Sequence, residues 1–61
     1  MTCYFEVRQD KNAQWYWAFV MSDGKAKDVI AMATETYSTR RGCILSIGFV
    51  QKYGPDADIR P

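Results

Sequence analysis

Apolar and polar positions alternate from the beginning of the chain. Cys3, Phe5 and Val7 fall on one side of the count and Tyr4, Glu6 and Arg8 on the other, which is the period of a half-buried strand. Gln9-Asp10-Lys11-Asn12-Ala13 breaks the pattern with polar side chains, and Asp10 and Asn12 are suited to a turn. A second alternation follows at once over Gln14 to Val20. Within it Trp15, Trp17 and Phe19 share one face while Tyr16 and Ala18 share the other, so four aromatic rings in five positions read as a strand whose heavier side lies on a core. Two such runs across a short polar segment predict a hairpin. Asp23-Gly24 is the next break, with a glycine able to take the positive φ of a tight turn. A third strand over Val29-Ile30-Ala31-Met32-Ala33 is then expected to return antiparallel. Its alanine and methionine also suit a short helix, and the meander context favours the strand.

The pattern then takes on a helical period. Thr39 is placed to cap a helix running from Arg40 to about Tyr53, because its hydroxyl can accept from a first-turn amide. Gly54 suits a left-handed position just past the helix end, and Pro55 cannot continue the helix. On a helical wheel Cys43, Ile44, Ile47 and Val50 gather in one stripe that should lie on the sheet. Ala57-Asp58-Ile59-Arg60 reads as a short last strand with one large apolar side chain. The order β-β-β-α-β, one helix against an antiparallel sheet, is an α+β arrangement, expected as a single domain over residues 1–61.

Size changes the picture more than charge does. A chain of 61 residues buries only about 60% of the surface that its unfolded form exposes, and domains this small rely on disulfides, a metal or oligomerisation. The two cysteines, Cys3 and Cys43, do not make a dense disulfide framework, and with no histidine they cannot complete a four-ligand zinc site within one chain. Oligomerisation is the remaining remedy. The net charge of +1, with both signs interspersed, implies no general attraction to polyanions. The first residues carry neither a basic lead nor a long apolar run, so the expectation is a cytoplasmic protein with no signal peptide and no membrane partner.

Phe5, the run Trp15-Tyr16-Trp17-Ala18-Phe19, Asp23-Gly24, Ile30-Ala31, Glu35-Thr36-Tyr37, Thr39-Arg40, Gly42-Cys43, Ile47, Val50 and Gly54-Pro55-Asp56-Ala57 stand in a characteristic order and spacing. Together they resemble the YegP-like family, small bacterial and archaeal proteins whose domain is of unknown function. The resemblance implies a β-β-β-α-β unit, two of which build one sheet by exchanging C-terminal strands. A chain with one unit is then expected to form a homodimer, the outcome that the size argument reaches independently. There are departures. Family members commonly carry basic residues at the outward positions of the aromatic strand, here Tyr16 and Ala18. Ala26-Lys27-Asp28 lengthens the second turn, and Ile44, Leu45 and Phe49 stand where polar side chains are more usual.

No Ser, Cys or Lys stands in a recognisable nucleophile-and-base arrangement, and pairing of carboxylates into an acid/base couple would be arbitrary. No catalytic, cofactor-binding or metal residue is assigned. The expectation is a non-catalytic binding or protein-interaction module with no cofactor. Leu45 and Phe49, four apart and joined by Tyr53, form the candidate surface for a protein partner. The alternative is binding of nucleic acid or another anionic ligand. Its candidates are Thr39, Arg40 and Arg41 at the helix N-terminus, and Tyr4 and Tyr16 as stacking rings on the outer hairpin face. Cys43 is expected to be a buried packing residue, and Cys3 the thiol more open to oxidation.

Overall fold

A computed structural model describes residues 1–60. Three strands, β1 (Thr2–Gln9), β2 (Trp15–Ser22) and β3 (Lys27–Met32), are followed by the helix α1 (Arg40–Tyr53) and a 3-10 turn over Gly54–Asp56. The strands form one antiparallel sheet in the order β1-β2-β3, so the fold is α+β.

Each turn is built around an aspartate. Between β1 and β2 the Asp10 carboxylate accepts from the amides of Asn12 at 2.8 Å and Gln14 at 2.9 Å. Ala13, rather than Asn12, takes the left-handed conformation, at φ 62°. Between β2 and β3 the Asp23 carboxylate accepts from Lys25 at 2.9 Å and Ala26 at 2.8 Å, while Gly24 supplies φ 92°. That tight closure starts β3 at Lys27, two residues ahead of the expected Val29. Phe19 lies opposite Ala31 and Val20 opposite Val29, which leaves Ile30 as the extra residue of a bulge.

The register places Phe5 opposite Phe19 and Val7 opposite Trp17, so these four side chains share a face. The Phe5 ring meets Trp17 edge-on at 5.5 Å and lies 5.1 Å from Phe19. Across this sheet lies α1, touching β2 and β1. Its start is held by Thr39, extended at φ −128°, whose hydroxyl accepts from the Gly42 amide at 3.0 Å. A side chain at Gly42 would crowd that cap, since a Cβ there would stand 3.2 Å from the Thr39 hydroxyl.

Four expectations change. Cys43 and Ile47 are buried, but Ile44 and Val50 are each 41% exposed, because one helix on a narrow sheet touches it along a thin line. Gly54 is right-handed at φ −59° and ψ −45°: the helix runs directly into the 3-10 turn, at whose start proline is tolerated. Trp15, Trp17 and Phe19 are only half-buried, whereas Ala18 is 0% exposed and Val20 is buried on the other face of β2. These two short side chains sit in the central strand, Ala18 flanked by Glu6 and Met32 and Val20 by Tyr4 and Val29. Finally, Ala57 is extended, yet residues 57–60 pair with no strand of their own chain, and Ile59 is wholly exposed.

Candidate functional site

Because α1 buries only a narrow line, its back is left to solvent. Leu45, Phe49 and Tyr53 recur every four residues and therefore stand one above another. All three are exposed. The rings of Phe49 and Tyr53 stack at 6.1 Å with 16° between their planes, and the Lys52 ammonium lies 5.3 Å from the Tyr53 ring centre. The three residues named as a partner surface are thus one continuous ridge, apolar along its length with a cation beside its last ring.

Beside this ridge lies a cleft of about 290 Å³, where α1 diverges from the β3 side of the sheet. Trp17, Met32, Glu35, Tyr37, Phe49 and Val50 line it. Its far wall exists because the segment after β3 doubles back: Tyr37 and Trp15 exchange two backbone hydrogen bonds, each of 2.7 Å, which pins the loop against β2. The Trp17 indole N–H is buried without an acceptor. Sequence reasoning identified the individual aromatic residues but not the cleft, since nothing in the local pattern of Ala33 to Ser38 announces that the loop returns to Trp15.

The other candidates are placed differently. The Thr39 hydroxyl already receives the Gly42 amide, and Arg40 and Arg41 are exposed in a first turn with no acidic residue. Tyr4 and Tyr16 do share the outer sheet face, but Tyr4 is opposite Val20 and Tyr16 opposite Arg8. About four residues of strand, roughly 13 Å, separate them. Glu6 stands in that interval and bonds Arg8. The Glu6 carboxylate raises the Arg8 guanidinium above its ordinary value, partial loss of water works against it, and the Tyr16 hydroxyl adds to the rise. The two rings therefore do not adjoin, and the cation opposite Tyr16, Arg8, already has a partner.

Cys43 is buried in the helix-sheet interface and Cys3 is exposed. Burial pushes the Cys43 thiol up, and the charge of Arg40 opposes that only in part, so the thiol stays protonated at neutral pH. Among the described residues no helix is long and apolar enough to cross a membrane.

These features define a small α+β unit, a three-stranded meander carrying one helix with an apolar back. Residues 10–60 match the family model described as a domain of unknown function, DUF1508. The chain belongs to that family, the YegP-like proteins that its strand and turn residues resemble. No curated protein and no solved structure matches it.

Proposed function

We propose that the protein is a non-catalytic binding module that works as a homodimer, with C-terminal strands exchanged, and presents the back of α1 to a protein partner. The observation that carries the binding role is the exposed ridge of Leu45, Phe49 and Tyr53 with its two stacked rings. Single exposed apolar residues are ordinary on a protein surface, but a contiguous line of them marks a contact surface. A homodimer is supported by the thin core, in which Ala18, Val20, Cys43 and Ile47 are the buried apolar residues among those described. It is also supported by β3, an edge strand whose six residues are all exposed, including Val29, Ile30 and Met32. Such an edge invites pairing with another chain.

The partner surface is tested at Leu45, which does not line the cleft. Leu45→Glu should leave the far-ultraviolet circular dichroism and the particle mass unchanged while abolishing retention of a protein that the parent retains in a pulldown. Retention of every such protein by the variant would end this reading of the ridge. Light scattering should report two chains per particle, and a clean monomer at micromolar concentration would remove the homodimer.

A further inference from the structure

We propose that the partner of the α1 ridge is an acidic amphipathic helix of another protein. It lies lengthwise along α1, with one large apolar side chain seated over Gly48 and carboxylates against Arg41 and Lys52. The proposal rests on the reading of the ridge as a protein contact and names the chemistry of what it meets.

Charge is the first observation. The helix carries Arg40, Arg41 and Lys52 and no acidic residue along its length. With 3.6 residues to a turn, Arg41, Leu45, Gly48, Phe49 and Lys52 fall within an arc of about 100° on the side away from Cys43 and Ile47. All five are exposed. Arg41 and Lys52 bracket the apolar pair, eleven residues or about 16 Å apart along the axis. Neither belongs to the ion pairs found among the described residues, Arg8 with Glu6 and Arg60 with Asp58. An apolar patch with a cation at each end complements an apolar stripe set between carboxylates. It is unsuited to a second copy, because two α1 helices packed antiparallel on this face set Arg41 against Lys52 at both ends, and a parallel pair sets each cation against its own equivalent.

The second observation is Gly48. Glycine inside a helix is disfavoured relative to alanine, and at Gly48 the chain gains nothing in return. Its φ is not positive, it is exposed, and a Cβ there would find nothing to pack against within 4 Å. Gly42 differs, since a Cβ there would stand 3.2 Å from the capping hydroxyl of Thr39. When two helices pack lengthwise, residues i, i+3, i+4 and i+7 of one enclose the hole that receives a side chain of the other. Leu45, Gly48, Phe49 and Lys52 have this spacing. The missing side chain at one corner deepens the hole and admits a residue the size of leucine or phenylalanine. A membrane surface would draw only on apolar area, which a glycine withholds.

The experiment is a display selection on the immobilised full chain, using helix-forming peptides of about 20 residues randomised along one face, followed by fluorescence anisotropy of the peptides recovered. Those whose binding Leu45→Glu abolishes should carry acidic residues on both sides of a large apolar one. Gly48→Gln fills the hole with a better helix former, so it should raise the thermal midpoint and yet weaken these peptides roughly tenfold or more. Arg41→Glu combined with Lys52→Glu should weaken them comparably, and peptides whose carboxylates are exchanged for lysine should regain binding to that variant. Leu45-dependent peptides that are neutral or basic, or that bind Gly48→Gln as tightly as the parent, would overturn the proposal and leave the ridge standing as a protein contact. Recovery of no Leu45-dependent peptide would overturn both. Sedimentation of the parent, but not of Leu45→Glu, with phosphatidylcholine–phosphatidylserine vesicles would assign the ridge to a membrane. A lighter particle for Leu45→Glu in light scattering would assign it to a second copy, and either result would overturn the proposal.

Discussion

Replacing Ile47 by alanine tests the packing that holds the fold together. Ile47 is 8% exposed on the face of α1 that meets the sheet, and Ile44, three residues earlier in the same apolar stripe, is 41% exposed. The substitution removes three carbon groups from the interior at about 0.8 kcal/mol each, and incomplete closure of the gap brings the loss to about 3 kcal/mol. A chain of 61 residues has in total about 3–9 kcal/mol of stability, so the variant loses a third or more of what it has. The midpoint of thermal unfolding should fall by about 12–24 °C. Ile44→Ala removes the same atoms from a half-wet position and should cost about 1 kcal/mol. Urea unfolding followed by tryptophan fluorescence and circular dichroism measures both. Protein concentration must be held constant, because self-association adds to apparent stability. Equal losses for the two variants, or a loss below about 1 kcal/mol for Ile47→Ala, would refute the assignment of the helix-sheet contact to the Cys43–Ile47 line.

Two further outcomes concern the turns. The amides of Ala26 and then Lys25 hold the Asp23 carboxyl below its ordinary value of 3.8. A lowered folded value means stability that is present above pH 3.8 and is lost as the pH falls through the folded value, so Asp23→Ala should lower the urea midpoint most near neutrality and progressively less on acidification. A difference between variant and parent that stays constant down to about pH 2.5 would contradict this. At Ala13, φ 62° is a conformation that costs an L-residue roughly 1–2 kcal/mol and glycine little, against glycine's greater freedom when unfolded. Ala13→Gly should therefore stabilise the chain by up to about 1 kcal/mol in the same unfolding assay, and a loss of stability would show that the turn is not strained there.

Much of the fold could be read from short stretches of sequence. Alternation along Cys3–Arg8 and Gln14–Val20 marked the first hairpin, Asp23-Gly24 its successor, and Thr39 the residue before the helix. Each depends on interactions within a few residues: which side of a strand a side chain takes, whether a carboxylate can reach the next amides, whether a glycine is free to take positive φ. The candidate ridge was legible for the same reason, since Leu45, Phe49 and Tyr53 repeat every four residues on a helix whose other side bears the core stripe.

What lies opposite a residue was decided only by the tertiary structure. Ile44 and Ile47 look alike on a helical wheel, but the narrow sheet reaches only Ile47. Ala18 reads as outward-facing, yet neighbours on both adjacent strands close it off. The cleft depends on a loop that returns to bond Trp15, bringing Glu35 and Tyr37 beside Phe49 and Val50. Periodicity and turn chemistry act along the chain and are therefore written in consecutive residues. Burial and cavities arise between segments distant in sequence, and they exist only once the sheet, the loop and the helix have been brought together.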